Sequence, residues 1–325
     1  MKLAILGAGM IVKDFLSMVG DIPEIELKAI VGTEQDMENM EKYKSESGIE
    51  QIYTDLDKCL AECDVNTVYV ALPNHLHCSY ALKALKSGKN VICEKPFTLS
   101  LDEMLELKEE ALSRNLVLLE AITNQYLSNY REIKKAAEEI GKLKIIECNY
   151  SQYSSRYDLF KEGTVLPAFN PEMGGGALMD INIYNIHFVA GLLGMPDRVQ
   201  YAANIERGID TSGVLILIYP DTKAVCIGAK DSTAEIRSTI QGDKGSVTLN
   251  GPTNIVDHFE KKLNHDIKTR VDVKIHRHRM YEEFKEFSRV IKEHDMNFMQ
   301  KQLEHSQQVM QIVDLALKDA GIRLG

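Results

Sequence analysis

The chain has 325 residues, a formal net charge of −10, and a composition that is 44% hydrophobic and 26% charged. These values are typical of a globular protein with room for two domains, and the acidic balance argues against a nucleic-acid or anionic-membrane partner. No apolar run approaches the roughly 20 residues of a membrane helix, and the N-terminus does not resemble a signal peptide. The six cysteines form no CxxC motif and are expected to be free thiols of a cytoplasmic protein.

The first part of the chain alternates short apolar runs with amphipathic stretches. Strands are predicted at 2–7, 26–32, 67–72, 90–95 and 116–121, and helices at 10–20, 35–47, 55–63, 75–87 and 101–114. Continuous apolar strands separated by helices indicate a parallel sheet that is covered on both faces. Residues 1–122 are therefore predicted to form a doubly wound α/β domain.

The pattern changes from residue 123 onward. A helix is predicted at 129–140 and a strand at 144–155, followed by five strands between 199 and 250 and by helices at 281–294 and 301–319. Strands that alternate apolar and polar residues between Gly, Pro and Asp turns indicate a largely antiparallel sheet with one covered face. Residues 123–325 are predicted to form a second α/β domain.

A glycine-rich turn follows the first predicted strand. The stretch from Gly7 to Val12, GAGMIV, matches the pattern GxGxx(G/A) with Val12 at the third glycine position. Gly7 allows a tight turn, Gly9 lets the backbone approach a pyrophosphate, and the N-terminus of the following helix favours an anion. The turn predicts a dinucleotide site; the alternative is an ordinary βα connection.

The end of the second strand bears on which dinucleotide binds. Rossmann strands usually place an acid here for the ribose 2′-hydroxyl, and this chain has Gly32, Thr33 and then Glu34. No Arg or Lys stands there to receive a 2′-phosphate, and the acidic stretch that follows would repel one. The sequence therefore favours NAD over NADP, with Glu34 as the candidate ribose partner.

Two polar clusters follow later strands, at LPNHLH (72–77) and CEKP (93–96). Ligands bind outside the carboxyl ends of strands in open α/β sheets, so both clusters are candidate site residues. Lys95 precedes a proline, which favours an extended backbone, and a lysine beside a cleft is a candidate for a perturbed pKa. His75 and His77 lack carboxylate or thiolate partners at metal-site spacing, so no metal is expected.

The stretch MGGGALMDINIYNIH (173–187) places polar groups in an apolar helix. At 100° per residue, Asp180, Tyr184 and His187 would share one narrow stripe of an α-helix. An unpaired carboxylate in apolar surroundings costs several kcal/mol. Asp180 therefore needs a wet cleft or a buried lysine partner, and His187 is equally consistent with a hydrogen-bonded core histidine.

Taken together, GAGMIV, VALPNHLH, GKNVICEKP and GGGALMDINIY resemble the Gfo/Idh/MocA oxidoreductases, and the resemblance runs nearly the whole chain. It implies a Rossmann domain followed by an α/β domain with a large open sheet, which commonly forms the face of a dimer. It also implies a cis peptide before Pro96, positions for Asn74 and Glu94 near the nicotinamide ribose, and hydride transfer on a sugar, polyol or related alcohol.

Within that family the second signature is often D-x-G-x-H, and this chain has Tyr184 where the histidine would stand. The tyrosine form resembles the branch that contains glucose–fructose oxidoreductase and dimeric dihydrodiol dehydrogenase. The stretch 119–126 resembles the same branch, although Thr123 stands where an aromatic residue is usual and Gln125 where an arginine is usual. These positions border the pocket in relatives, so the substrate stays open.

Oxidation of an alcohol requires removal of the O–H proton as hydride leaves carbon. A phenol with a pKa of about 10 is a poor base at neutral pH, and a nearby ammonium lowers that pKa. Tyr184 is therefore the predicted proton-transfer residue and Lys95 its tuner, or Lys95 is itself the base. Asp180 is expected to hold a substrate hydroxyl or to orient Lys95.

The remaining candidates complete the predicted site. Three residues are candidate substrate contacts. An arginine such as Arg156 can clamp a carboxylate or phosphate, the position of Gln125 borders the pocket in relatives, and His187 completes the stripe with Asp180 and Tyr184. The predicted cofactor-binding residues are Gly7, Gly9, Met10, Ile11, Thr33, Glu34, Leu72, Pro73, Asn74, His77, Glu94 and Lys95.

Three functions fit these residues. The first is an NAD(P)-dependent oxidoreductase that works as a homodimer or higher homo-oligomer on a sugar-like or polyol-like small molecule. The alternatives are a non-catalytic dinucleotide sensor or regulatory protein, and an NAD-dependent glycosidase on the same fold. A sensor would not need Lys95, Asp180 and Tyr184 together, so their joint presence favours an enzyme.

Overall fold

The computed structural model describes all 325 residues. Contacts between residues divide the chain into two compact units. The first unit comprises Met1–Thr98, Asp102–Ala121 and Met280–Glu304, and the second comprises Leu99–Leu101, Ile122–Arg279 and His305–Gly325.

The secondary structure up to residue 121 alternates strands with helices. The strands are β1 (Lys2–Leu6), β2 (Glu26–Val31), β3 (Gln51–Tyr53), β4 (Thr67–Val70), β5 (Asn90–Glu94) and β6 (Leu118–Ala121). The helices are α1 (Met10–Leu16), α2 (Met37–Ser47), α3 (Leu56–Glu62), α4 (His77–Lys86) and α5 (Leu101–Ser113).

These strands form one parallel sheet in the order β3-β2-β1-β4-β5-β6. The order reverses at β1, so the carboxyl ends of β1 and β4 form the crevice where doubly wound sheets bind ligands. Every residue of β4 and β6 is buried, as expected for strands covered on both faces. The predicted fold class is confirmed. The short edge strand β3 was not predicted, because its three residues contain no continuous apolar run.

The second part of the chain contains most of the second unit. Its helices are α6 (Ser128–Glu139), α7 (Tyr157–Lys161) and α8 (Ile183–Leu193). Its strands are β7 (Leu143–Ser151), β8 (Arg198–Glu206), β9 (Ile209–Ile218), β10 (Lys223–Ala229), β11 (Arg237–Gly242), β12 (Gly245–Asn250), β13 (Phe259–Leu263) and β14 (Thr269–Val271).

These strands form an eight-stranded sheet in the order β14-β13-β12-β11-β7-β10-β9-β8. Only β7 and β10 pair in parallel, so the prediction of a mostly antiparallel sheet is confirmed. Strands β13 and β14 were not predicted. Their sequences, FEKKL and TRV, are too polar and too exposed to show an alternating apolar pattern.

The chain ends in two helices, α9 (Tyr281–Glu293) and α10 (Met296–Ala320). Residues 280–304 group with the first unit rather than with the domain 123–325 to which the sequence analysis assigns them. The ring of Phe284 lies 4.4 Å from that of Phe15 and 5.1 Å from that of Tyr69. The apolar face of α9 therefore packs into the core beside the six-stranded parallel sheet.

The sequence analysis treated residues 173–187 as a single α-helix. The segment from Pro171 to Leu193 is instead built from three kinds of helical turn. It starts with a 3₁₀ turn at Pro171–Met173, continues through a π-helical turn at Leu178–Asn182, and becomes α8. By length and composition this segment could cross a membrane, contrary to the expectation from the apolar runs. However, 72% of its apolar window is buried inside the protein, so its apolarity is that of a core helix.

Candidate active site

The two glycines after β1 have different surroundings. Gly7 has a φ of +107°, and a Cβ at this position would lie 2.4 Å from the carbonyl oxygen of Ala71, at the end of β4. Gly9 caps the N-terminus of α1 with a φ of −81°, and a Cβ there would meet nothing within 4 Å. Gly7 is therefore required by the fold, whereas Gly9 leaves open space in front of α1.

The residues after Gly9 divide between surface and core. Met10 is 73% exposed and Ile11 is half-buried at the start of α1, so both lie beside the open space. Val12, at the third glycine position of the motif, is completely buried. It packs into the core as an ordinary apolar residue.

The loop after β2 contains an acid that the sequence analysis missed. The Asp36 carboxylate accepts hydrogen bonds from the Thr33 backbone N–H at 2.9 Å and from the Thr33 hydroxyl at 2.7 Å. Glu34, the predicted ribose partner, is exposed. The signal that could have identified Asp36 is the T-x-x-D spacing of a capping box.

His77 links the ends of two strands of the first unit. Its Nδ1 lies 2.9 Å from the carbonyl oxygen of Pro96, and its Nε2 lies 2.8 Å from that of Leu72. The ring is buried, and this burial lowers its pKa, an effect to which the charge of Lys95 adds. His77 therefore joins the loops that follow β4 and β5, and its predicted contact with a dinucleotide stays a prediction.

Glu94 and Lys95 lie at the carboxyl end of β5. The buried Glu94 carboxylate accepts a hydrogen bond from the Tyr69 hydroxyl at 2.5 Å and one from the Lys95 backbone N–H at 3.3 Å. The peptide bond between Lys95 and Pro96 is cis, which confirms that expectation. These contacts hold the Lys95 backbone at the sheet edge where ligands bind in this fold class. Pro73 and Asn74 follow β4 at the same edge.

Asp180 forms an ion pair with a lysine that the sequence analysis did not single out. The Lys230 ammonium lies 2.7 Å from the Asp180 carboxylate, and the two side chains are 3% and 35% exposed. The expectation that Asp180 needs a buried lysine or a wet cleft is thus met by the lysine, and the carboxylate is partly exposed. Lys230 follows β10, some fifty positions from Asp180, so no local motif connects the two.

The predicted stripe of Asp180, Tyr184 and His187 does not share one environment. The π-helical turn inserts extra backbone between Asp180 and α8, so the 100° spacing fails there. The Asp180 side chain is partly exposed, Tyr184 is 7% exposed and His187 is completely buried. The ring of Tyr184 lies 6.4 Å from that of Tyr150 on β7.

His187 pairs with a second histidine inside the second unit. Its Nδ1 lies 3.0 Å from Nε2 of His305 on α10. Burial lowers the pKa of His305 well below its usual range, and the nearby His187 and Lys134 lower it further. Of the two alternatives for His187, the core histidine is the one that its burial matches.

Two amides fasten the turn after β6 to α8. The Asn124 side chain donates to the carbonyl oxygen of Tyr184 at 2.9 Å, and that of Gln125 donates to the carbonyl oxygen of His187 at 2.9 Å. Thr123 accepts a hydrogen bond from the Arg279 guanidinium at 3.3 Å. Arg156 is exposed at the start of α7, and its role at a substrate, like that of Gln125, stays a prediction.

A buried carboxylate supports the start of the π-helical turn. Asp210 on β9 accepts hydrogen bonds from the Leu178 backbone N–H and from the Tyr201 hydroxyl, both at 2.6 Å. Burial raises the pKa of Asp210 to about 6, although these hydrogen bonds and the charge of Lys230 oppose the shift. A Cβ at Gly176 would lie 2.1 Å from Asp210 Oδ1, so this glycine makes room for the carboxylate.

Family models match both parts of the chain. Residues 1–121 match the model described as "Oxidoreductase family, NAD-binding Rossmann fold", and residues 130–248 match the Gfo/Idh/MocA C-terminal domain. Among relatives, the scyllo-inositol 2-dehydrogenase (NADP(+)) IolU of Bacillus subtilis is 32% identical over 330 residues, which cover 99% of this chain and 97% of the relative. The trans-1,2-dihydrobenzene-1,2-diol dehydrogenase of Xenopus tropicalis is 28% identical over 265 residues, 78% of each chain.

Solved structures show the same fold. The 3-ketoreductase KijD10 of Actinomadura kijaniata, in complex with NADP and TDP-benzene, superposes with a TM-score of 0.85 at 20% identity, covering 99% of this chain and 98% of the other. The aldose–aldose oxidoreductase of Caulobacter crescentus gives a TM-score of 0.80 at 19% identity, covering 98% of each chain. The chain therefore belongs to the Gfo/Idh/MocA family and is an NAD(P)-dependent oxidoreductase.

Proposed function

We propose that the enzyme transfers a hydride between a nicotinamide dinucleotide and a hydroxyl-bearing carbon of a sugar, cyclic polyol or related diol. The observation that carries this proposal is a carboxylate and a phenol, Asp180 and Tyr184, on one helical run of the second unit. The partly exposed Asp180 carboxylate is suited to hold a hydroxyl group, and the phenol can exchange a proton with an oxygen. The names of the relatives, an inositol dehydrogenase and a dihydrodiol dehydrogenase, support the same substrate class.

In this proposed reaction Tyr184 exchanges the proton of the substrate hydroxyl, and Lys95 is the alternative base. A phenol alone, with a pKa of about 10, is protonated at neutral pH and needs a nearby cation to act as a base. Asp180 holds a neighbouring hydroxyl of the substrate. The backbone at Gly9 and the N-terminus of α1 would hold the pyrophosphate of the dinucleotide, which would supply or accept the hydride.

A substrate screen tests the reaction directly. Inositols, aldoses and vicinal diols are incubated with NAD⁺ or NADP⁺, and reduced nicotinamide is read by its absorbance. We expect turnover with at least one compound of this class.

Lys95→Ala should lose about a thousandfold in kcat while retaining dinucleotide affinity, since general acid–base groups contribute about 10²–10⁴ in rate. Tyr184→Phe should lose a comparable factor; a near-normal rate would leave Lys95 as the base.

The loop after β2 supports NAD as the preferred coenzyme. Asp36 occupies both the N–H and the hydroxyl of Thr33, and Glu34 and Glu38 stand beside it. A 2′-phosphate here would meet carboxylates instead of a cation, whereas ribose hydroxyls would find acceptors. The relative IolU is named for NADP(+), so the test is to measure kcat/KM with each coenzyme. We expect the higher value with NAD⁺. A higher value for NADP⁺ would contradict the preference.

The outer face of the second sheet supports a homodimer. Val214 and Ile216 on β9 stand beside Ile227 and Val225 on β10, and they alternate with buried residues of the same strands. Val214 is 37% exposed, and Ile145 on the neighbouring β7 is 45% exposed. Partly exposed apolar residues clustered on one sheet face in this way favour association with a second copy. Sedimentation should give the mass of a dimer, and Val214→Lys should lower that mass.

We also propose that the enzyme is cytoplasmic.

A further inference from the structure

Lys230, which follows β10, is buried and holds a charged side chain in place through several contacts. Lys230 is 2% exposed, and its ammonium donates to Asp180 at 2.7 Å and to the carbonyl oxygen of Ala168 at 2.5 Å. The same ammonium lies 4.4 Å above the centre of the Phe169 ring, which adds a cation–π contact. A buried ammonium with these three partners has little freedom to move.

The backbone of Lys230 is held as firmly as its side chain. Its N–H donates to the carbonyl oxygen of Thr211 at 2.8 Å, and its carbonyl oxygen accepts from the N–H of Ser154 at 2.8 Å. Both ends of the long side chain are thus fixed. The position of the ammonium, and with it the position of the Asp180 carboxylate, is fixed by the end of β10 and by the turn at Pro167–Phe169, outside the helix that carries Asp180.

The neighbouring acids do not compete for this ammonium. Asp231, the next residue along the chain, accepts hydrogen bonds from the hydroxyls of Thr211, Ser212 and Ser232. Asp210 is engaged by Tyr201 and Leu178, and it senses the charge of Lys230 without forming an ion pair with it. Among these carboxylates, Asp180 is the one paired with Lys230.

Burying an ammonium costs free energy, and replacing a buried ion pair by apolar residues of similar size often leaves stability unchanged or raises it. A buried ammonium such as that of Lys230 therefore points to a role other than stability. We infer that Lys230 is a positioning residue of the active site, which holds Asp180 ionised and in one orientation so that this carboxylate can bind the substrate. This inference rests on the proposed function, because Asp180 is useful in this way only if it meets a substrate. It gives the carboxylate on this apolar helical run an oppositely charged partner at 2.7 Å.

The test is a double-mutant cycle with Lys230→Met and Asp180→Asn, measured with the best substrate of the screen. Methionine keeps the shape of the lysine stem and removes its charge. We expect Lys230→Met to lower kcat/KM by at least about tenfold and to move the acid limb of its pH profile to higher pH, since Asp180 then takes up a proton more readily. In the Asp180→Asn background, Lys230→Met should change kcat/KM by less than about twofold.

Controls separate positioning from general stabilisation. Lys135→Met removes a lysine from the exposed pair with Glu132, in which the Lys135 side chain is 68% exposed, and it should leave the rate and pH profile unchanged. The double variant lacks both charges of the pair, so if it folds and Lys230→Met alone does not, the poor folding comes from the unpaired Asp180 carboxylate. Dinucleotide affinity, measured on every variant, reports whether the first unit is intact.

The outcomes distinguish the two proposals. If the wild type oxidises a polyol and Lys230→Met shares its rate and pH profile, the positioning role is wrong and the proposed function stands. Independent, additive losses in the cycle would likewise overturn a role that acts through Asp180. If the wild type turns over no hydroxyl substrate with either coenzyme, the proposed function fails and the role of Lys230 fails with it.

Discussion

Two glycine-rich turns, one in each unit, begin a helical segment, and their surroundings are opposite. In the first, a Cβ at Gly9 would meet nothing within 4 Å. In the second, a Cβ at Gly175 would lie 2.7 Å from the carbonyl oxygen of Pro167, and one at Gly176 would lie 2.1 Å from the Asp210 carboxylate. At Gly9 the first turn leaves space for something outside the protein, whereas at Gly175 and Gly176 the second is filled by the protein itself.

The difference shows that a glycine motif has two physical meanings. At Gly9 the missing side chain permits approach of a ligand, and the backbone conformation would accept any residue. At Gly176 the φ of +102° and the nearby carboxylate both require glycine for the fold. A substitution should therefore remove binding at one turn and stability at the other, and three predictions test this contrast.

The largest effect is expected for Gly176→Ala. A left-handed φ costs about 1–2 kcal/mol for an L-residue, and overpacking against Asp210 adds about 1–3 kcal/mol. We expect a loss of about 3 kcal/mol in the free energy of unfolding, measured by urea denaturation. Gly163→Ala is the matched control, because Gly163 has a φ of +105° and nothing within 4 Å of a Cβ. An equal loss in both variants would show that the contact with Asp210 is unimportant.

The second prediction concerns the carboxylate that fills this turn. Burial raises the pKa of Asp210 from about 3.8 to about 6, so the folded state binds its proton more tightly than the unfolded state. Asp210 therefore favours folding below pH 4 relative to pH 7, and this contribution is lost as the pH rises through 6. Relative to Asp210→Asn, the wild type should lose up to about 3 kcal/mol of stability between pH 4 and pH 7. A pH-independent difference between the two urea curves would contradict the raised pKa.

The smallest effect on the fold is expected for Gly9→Val. The variant should unfold within about 1 kcal/mol of the wild type, because its φ of −81° suits valine. Its affinity for the dinucleotide, measured by nicotinamide fluorescence, should fall at least about tenfold, or about 1.4 kcal/mol. Gly20→Val is the control, since Gly20 also has open space around it but lies beyond the C-terminal end of α1. Unchanged affinity in Gly9→Val would mean that the turn is an ordinary βα connection.

The predicted and the unpredicted parts of the site differ in how far apart their residues lie in sequence. Gly7, Gly9 and Lys95 were predicted because each stands at the end of an apolar strand, where local pattern and fold class coincide. Lys230 and Asp210 were missed because Lys230 meets Asp180 and Asp210 meets Leu178 across thirty or more residues, and neither contact belongs to a local motif. The stripe on the helix failed for another reason, since a π-helical turn leaves no periodic signal in the sequence.

The sequence by itself determined the parallel sheet, the mostly antiparallel sheet and the family, because alternation of apolar residues and short motifs are local properties. Only the tertiary structure decided that Asp180 is paired with Lys230 and that His187 lies in the core. Burial and ion pairing depend on which strands and helices become neighbours. That choice is made by packing over the whole chain, and no window of sequence contains it.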